Sequence, residues 1–259
     1  MYKKKVASTP SFLSGPILKE VALNASSRVG GDAYPFCLDL IKNFKTIKFN
    51  HQVTFFVGEN GSGKSTLLEA IAHKAGFGLE GGSKNISFKT ARDITYDGVC
   101  ALADQLTLSW RQKVKDGYFF RAESFYNLAS YIDELVDGYG PYGGKSLHHQ
   151  SHGESFFAFF RNRVGTGGFY IFDEPEAALS PQRQLALLSV IHQQCAANMN
   201  TQFIIATHSP LLLAYPDAPI YSCDGGALHK IAYEDTEHYR VTKQFLDNPG
   251  LYLRHLLAD

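Results

Sequence analysis

The strongest constraint on the fold is a glycine-rich segment between an apolar run and an amphipathic stretch. It runs from Gly58 to Thr66 with the sequence GENGSGKST and fits the pattern G-x-x-x-x-G-K-[ST]. Such glycines let backbone N–H groups turn inward around phosphates, the lysine reaches the terminal phosphates, and the hydroxyl ligates Mg²⁺. The segment therefore predicts a nucleotide site with these contact residues: Gly58, Asn60, Gly61, Ser62, Gly63, Lys64, Ser65 and Thr66.

The flanks of this segment support the same interpretation. Val53–Val57 is a short apolar run typical of a buried strand, and residues 65–73 place apolar side chains on one side of a predicted helix. Strand, loop and helix form the order that phosphate binding needs, because the helix N-terminus adds the positive end of its dipole to the site.

Two further apolar runs end in polar residues. Phe169–Phe172 is followed by Asp173 and Glu174, and Phe203–Ala206 is followed closely by His208. Runs that are apolar at successive positions are typical of parallel strands covered on both faces. Ligands of open α/β sheets bind outside the carboxyl ends of the strands, so we expect these polar residues to meet the phosphate loop in one site.

The rest of the chain predicts additional layers. Residues 17–50 contain alternating segments, such as 36–41 and 46–49, that predict an antiparallel sheet. Residues 76–150 are rich in glycine and aromatics, and we interpret them as an inserted, mostly helical subdomain with a helix near 124–136.

Towards the C-terminus, Ser180 and Pro181 mark a helix start, 224–226 marks a hairpin turn, and Pro249 breaks the last helical stretch. The predicted fold is α/β, with a mostly parallel central sheet, an N-terminal antiparallel β-subdomain and a helical insertion. We expect a single domain over 1–259. In chain order, the predicted parts are the antiparallel sheet with the phosphate loop (about 17–75), the helical subdomain (about 76–165), the core with the acidic motif and His208 (about 166–235) and the C-terminal helices (about 236–259).

Composition excludes several classes of protein. The 259 residues are 44% apolar and carry 25 basic and 25 acidic side chains, so global charge predicts neither a polyanion nor a membrane surface as partner. The four cysteines are far apart in the sequence, which is typical of reduced thiols in a cytoplasmic chain. No run approaches the ~20 apolar residues of a transmembrane helix, and we expect no transmembrane segment.

Taken in order, these motifs give the chain a family likeness. It resembles the ATP-binding-cassette ATPases over about residues 17–235. Residues 151–154 (SHGE) stand where that family has its signature, 169–175 (FYIFDEP) match its second acidic motif, and 177–180 match its dimer-contact loop. Within the superfamily the chain looks most like small stand-alone bacterial predicted ATPases, AAA- or ABC-like, related to the chromosome-maintenance and DNA-repair cassette proteins.

The resemblance implies an ATP hydrolase of the P-loop type, with ATP and Mg²⁺ as its ligands. Lys64 would hold the β- and γ-phosphates, while Ser65 and Asp173 would hold Mg²⁺. Glu174 would accept a hydrogen bond from the attacking water. His208 would contact the γ-phosphate and sense its loss.

The resemblance also implies a partner copy. In this family Ser151 and Gly153 complete the site of the opposite subunit, so we expect an ATP-dependent homodimer. Two positions stay open: the family's glutamine loop, for which Glu123 and Gln112 are the candidates, and the adenine-stacking aromatic. The candidates for that aromatic are Tyr34, Phe36 and Phe44.

Two functions compete on this basis. The first is a soluble ATP-driven switch that acts on an unidentified protein or nucleic-acid partner. The alternative is the ATP-binding subunit of an ABC transporter, which the signature QSHGE at 150–154 disfavours because transport ATPases usually carry LSGGQ. A third candidate is a phosphate-loop kinase, which is disfavoured because Glu174, a residue suited to orient water, follows the predicted metal ligand Asp173.

Overall fold

The computed structural model describes residues 15–24, 32–84, 94–113, 115–123, 160–165, 167–177 and 179–257. The strands in these ranges are β1 (Leu18–Leu23), β2 (Thr46–Lys48), β3 (Val53–Val57), β4 (Leu106–Trp110), β5 (Gly117–Arg121), β6 (Phe169–Asp173), β7 (Gln202–Ala206), β8 (Ile220–Ser222) and β9 (His229–Ile231). The helices are α1 (Asp39–Asn43), α2 (Lys64–Lys74), α3 (Ile94–Gln105), α4 (Pro181–Ala197), α5 (Pro210–Leu213), α6 (Glu237–Asp247) and α7 (Pro249–Leu256). Short 3₁₀ turns lie at Asp224–Gly226 and Tyr233–Asp235.

The central sheet has six strands in the order β5-β6-β7-β3-β8-β9. Every neighbouring pair is parallel except β8 and β9, which form an antiparallel hairpin. Strands β3, β6 and β7 are buried at every position, because α2 covers one face of the sheet and α4 the other. The predicted parallel core is therefore confirmed.

A second sheet of three antiparallel strands, in the order β2-β1-β4, lies on the α2 side. Side chains of all three strands share one apolar cluster with α2, including Val21, Ile47, Leu106 and Leu67. The cluster also contains Ile204 from the central sheet. The antiparallel sheet is thereby tied to the helix that follows the phosphate loop.

One sequence-based expectation about these layers is wrong, and a second is matched only in part. Residues 36–41 form a turn that leads into α1 rather than a strand, and Leu40 and Ile41 are buried on that helix. The region 76–150 is not a mostly helical insertion in its described part. There α3 is followed by β4, which joins the antiparallel sheet, and by β5, which is an edge strand of the central sheet. The helix expected near 124–136 lies outside the described residues.

The C-terminal expectations are confirmed. Helix α4 has Pro181 at its first turn and Ser180 at its N-cap position. The hairpin of β8 and β9 turns at 224–226. The last helical stretch breaks into α6 and α7 at Pro249, where the side chain of Asn248 caps α7 by accepting the N–H of Leu251. Within the described ranges, no helix is long and apolar enough to cross a bilayer.

One buried polar side chain joins the two sheets. Gln202, the first residue of β7, is 0% exposed. Its Oε1 accepts the backbone N–H of Leu18 at 2.7 Å, and its Nε2 donates to the Leu18 carbonyl oxygen at 3.2 Å. A buried amide is tolerated here because both of its ends are hydrogen-bonded.

We predict that Gln202→Leu lowers the free energy of unfolding by about 2 kcal/mol or more, because it leaves the buried N–H and carbonyl groups of Leu18 without their hydrogen-bond partner. Urea denaturation measures this change. Gln193→Leu makes the same substitution at an exposed position of α4 and should change stability by less than about 0.5 kcal/mol. Equal effects of the two variants would contradict the assigned role of Gln202.

Candidate nucleotide-binding site

Those predicted site residues that the structure describes converge where three strands of the central sheet end. The phosphate loop follows β3, Asp173 and Glu174 close β6, and His208 stands two residues after β7. Backbone hydrogen bonds lock these strand ends together, since the N–H of Glu174 donates to Ala206 at 2.9 Å and that of Thr207 to Phe56 at 3.1 Å. The parallel topology thus brings three sequence-distant segments together.

The loop lines a cavity of about 420 Å³ in front of the N-terminus of α2. Gly61 and Gly63 have φ values of 83° and 87°, a left-handed backbone that glycine adopts at little cost. Gly63 is the N-cap residue of α2, so the first N–H groups of that helix face the cavity. The lining residues are Tyr34, Leu38, Glu59, Asn60, Gly61, Ser62, Gly63, Lys64, Ser65, Thr66, Glu123 and Glu174.

The Lys64 side chain is the buried cation of the site. It is only 4% exposed, and its Nζ donates to the carbonyl oxygen of Gly58 at 3.2 Å. The same Nζ lies 2.6 Å from Nε2 of His208 and 3.9 Å from Oε1 of Glu174. The structure therefore brings together the three side chains that the sequence assigned to catalysis.

Asp173 and Ser65 form an oxygen pair beside this cation. The Ser65 hydroxyl donates to Oδ1 of Asp173 at 3.2 Å. Burial raises the pKa of Asp173 to about 6, although the nearby Arg121 opposes the shift. A buried carboxylate with a raised pKa gains stability as an anion from any cation placed next to it.

Glu174 is held in an uncommon backbone conformation. Its φ is 53°, in the left-handed region that non-glycine residues seldom occupy outside turns and functional sites. Its Oε1 lies 3.3 Å from Nε2 of His208, and the contact with His208, followed by the charge of Lys64, lowers the pKa of Glu174 despite partial burial. The carboxyl group is therefore an anion near neutral pH.

Three contacts around the site were missed by sequence reasoning. Glu176 accepts the backbone N–H of His208 at 2.6 Å, and burial raises the pKa of this glutamate. Asp224 accepts the N–H of Glu59 at 2.8 Å and so anchors the start of the loop. His238 on α6 has its Nε2 2.7 Å from Nδ1 of His208. Glu176 directly follows the acidic motif, but no local pattern marks Asp224 or His238.

The structure narrows the adenine-contact candidates geometrically. Tyr34 lines the cavity, and its hydroxyl lies 2.9 Å from Oγ1 of Thr66. Phe44 is buried in the core and Phe36 packs against it. Tyr34 is thus the one of the three aromatic candidates that reaches the cavity lining.

Glu123 also lines the cavity, whereas Gln112 is an exposed residue outside that lining. The guanidinium of Arg121 contacts Glu123 at 3.2 Å and Glu69 of α2 at 2.8 Å, which joins the end of β5 to the helix after the loop. The signature candidates Ser151 and Gly153 lie outside the described residues.

Comparisons with known families agree with these motifs. Residues 36–98 match a family described as "AAA domain". Residues 156–214 match one described as "AAA domain, putative AbiEii toxin, Type IV TA system". No curated protein gives a significant match.

Similar solved structures include an SMC head domain and a component of an ABC transporter complex. The SMC head domain from Thermotoga maritima is 18% identical, with 83% of this chain and 98% of that chain covered and a TM-score of 0.41. The cbiO1 protein from Clostridium perfringens, part of the ABC transporter complex cbiONQ, is 18% identical, with 94% and 100% covered and a TM-score of 0.43. At these values the likenesses assign no role to any residue.

The first AAA match contains the phosphate loop, and the second contains the acidic strand and His208. The chain is therefore similar to AAA domains over the two segments that carry its candidate site.

The geometry of Gly58 generates a prediction about the loop. A Cβ at this position would lie 2.9 Å from Oγ of Ser62 and 3.1 Å from Oδ1 of Asp224, at a φ of 153°. We expect Gly58→Ala to displace the loop and weaken binding of a fluorescent ATP analogue by about tenfold.

Gly76→Ala is the matched control for Gly58→Ala. Gly76 has a φ of 96°, and a Cβ there would meet nothing within 4 Å. This variant should lower the free energy of unfolding by about 1 kcal/mol and leave nucleotide affinity unchanged. Unaltered affinity in Gly58→Ala would contradict the assigned packing of the loop.

Proposed function

We propose that this site binds ATP together with Mg²⁺, hydrolyses the γ-phosphate bond, and uses the cycle to switch the chain between a monomer and an ATP-bound homodimer. The observation that carries the proposal is the side-by-side arrangement of the buried Lys64, the Ser65–Asp173 pair and the Glu174–His208 pair at one sheet edge. Phosphoryl transfer depends on positioning and charge, and these groups supply both.

The Ser65 hydroxyl and the Asp173 carboxylate fit a magnesium ion. Both donors are hard oxygens, which Mg²⁺ prefers. Among the described residues no three His, Cys, Asp or Glu side chains form a metal cluster. This agrees with an ion held by two protein oxygens plus phosphates and water. When bound, Mg²⁺ would neutralise the charge that develops on the phosphate oxygens.

The remaining groups divide the work of hydrolysis. Lys64 and the N–H groups of Gly61, Ser62 and Gly63 would hold the β- and γ-phosphates, and Asn60 and Thr66 would border them. Glu174, ionised at neutral pH, would accept a hydrogen bond from the attacking water. His208 would donate to the γ-phosphate and detect its loss.

A second copy of the chain would close the site. Glu59, Asn60, Glu174, His208 and His238 line a surface cavity of about 500 Å³, which is where the proposal puts the γ-phosphate. Water exclusion strengthens charge interactions during catalysis. We propose that Ser151 and Gly153 of the second copy cover this cavity, that the chain acts as one ATPase domain, and that it works on a protein or nucleic-acid partner.

We predict that Glu174→Gln retains ATP binding, loses at least about 100-fold in hydrolysis rate and accumulates a dimer, because the charge that orients water is removed. Phosphate release and light scattering measure the two effects. Glu234→Gln, at an exposed position, should behave as wild type. A Glu174→Gln protein that hydrolyses ATP at the normal rate would remove Glu174 from the mechanism.

The Ser151→Arg variant tests whether a second copy of the chain contributes Ser151 to the site. A long cationic side chain at the proposed contact should abolish ATP-dependent dimerisation, while the monomer still binds ATP with unchanged affinity. Light scattering and calorimetry measure the two properties. Ser189→Arg, on the exposed side of α4, is the control and should still dimerise. If Ser151→Arg dimerises as wild type does, the signature assignment is wrong.

A further inference from the structure

A second histidine reaches the site from the C-terminal part of the chain. His238 is the second residue of α6, and its Nε2 lies 2.7 Å from Nδ1 of His208. The two ring centres are 4.7 Å apart. On its other edge, the His208 ring meets Lys64 through Nε2 at 2.6 Å. His208 is therefore held between α2 and α6.

The directions of the two hydrogen bonds fix which ring nitrogens carry protons in the series Lys64, His208 and His238. An ammonium group can only donate, so Nε2 of His208 must accept from Lys64 and carry no proton. The proton of a neutral His208 ring is then on Nδ1 and is donated to Nε2 of His238. His238 must therefore present a bare Nε2 and carry its own proton on Nδ1.

The charged surroundings of His238 agree with a neutral ring. Lys64 of α2 and His208 lie on one side, Asp224 comes from the 3₁₀ turn, and Glu237 is on α6 itself. Glu59 and Glu174 line the same cavity. Burial and the charges of His208 and Lys64 lower the pKa of His238, so the ring is neutral, and able to accept, at and above its ordinary pKa.

We infer that His238 is a positioning residue that holds the His208 ring through Nδ1 and so directs Nε2 towards the nucleotide site. This role rests on the proposed function. To donate to a γ-phosphate, His208 needs its proton on Nε2, and that tautomer is favoured when His238 donates to the bare Nδ1 instead of accepting from it. In the exchange each ring releases a proton from Nδ1 to water and takes one up at Nε2, so the pair keeps two protons.

The consequence is a link between the nucleotide site and α6. A ligand that draws Lys64 away from His208 frees Nε2 and reverses the hydrogen bond between the histidines. Glu174, whose Oε1 lies 3.3 Å from the same Nε2, stabilises the reversed tautomer because a carboxylate accepts from an N–H group.

The first test reads the tautomer directly in the ligand-free protein. Long-range ¹H–¹⁵N NMR of histidine-labelled protein distinguishes protonated from bare ring nitrogens, and the His208 signals are assigned by their loss in His208→Asn. We expect wild type to carry the proton on Nδ1 of His208. In His238→Leu, Lys64 should still keep the proton on Nδ1, but this proton has lost its acceptor and its signal should be lost through fast exchange with water; a retained Nδ1 proton signal would overturn the inference.

The second test separates this role from a purely structural one. In His238→Leu we expect kcat for ATP to fall by about tenfold or more with KM within twofold. His238→Gln, whose amide can accept or donate, should recover most of the loss. His255→Leu, at an exposed position of α7, is the control and should match wild type.

An unchanged kcat in His238→Leu would overturn the inference, as would a loss that His238→Gln does not recover. If wild type itself fails to hydrolyse ATP, the proposed function fails, while the NMR result still decides whether His238 holds Nδ1 of His208.

Discussion

A buried ammonium group with an incomplete set of partners is the constraint on which the rest of the site depends. Lys64 is 4% exposed, and its Nζ contacts the carbonyl oxygen of Gly58, the ring of His208 and, at 3.9 Å, the carboxylate of Glu174. A buried charge is costly unless it is paired and hydrogen-bonded. A phosphate anion in the adjoining cavity would complete this set.

The arrangement of strands and helices holds the Lys64 side chain in one position. The chain passes from buried β3 through left-handed glycines into α2, so Lys64 is fixed at the first residue of a helix packed between two sheets. Parallel neighbours β6 and β7 then deliver Asp173, Glu174 and His208 to the same edge. Asp224 and Glu176 secure the loop and the histidine backbone. Nucleotide chemistry follows from this placement.

The parts of this arrangement that sequence could predict are local or strongly patterned. Uninterrupted apolar runs marked β3, β6 and β7, because strands covered on both faces need no polar side. The loop residues and Asp173, Glu174 and His208 were predictable because they lie at or just after the end of such a run.

Pairing between strands that are distant in the sequence could not be predicted in this way. Strand β4 pairs with β1, more than 80 positions earlier in the chain, and nothing in its own sequence names that partner. Residues 36–41 alternate as a strand would, yet the burial of Leu40 and Ile41 is satisfied by a single helical turn. His238 reaches the site because α6 packs against α5, the short helix that follows His208, so no motif could have indicated it.

The most direct test of the buried cation is calorimetric titration of the wild-type protein with AMP, ADP and ATP in the presence of Mg²⁺. If Lys64 and the loop N–H groups bind the β- and γ-phosphates, ADP and ATP should bind at least about 100-fold more tightly than AMP. This is a difference of roughly 2.7 kcal/mol in the free energy of binding. Equal affinities for AMP and ATP would contradict the account.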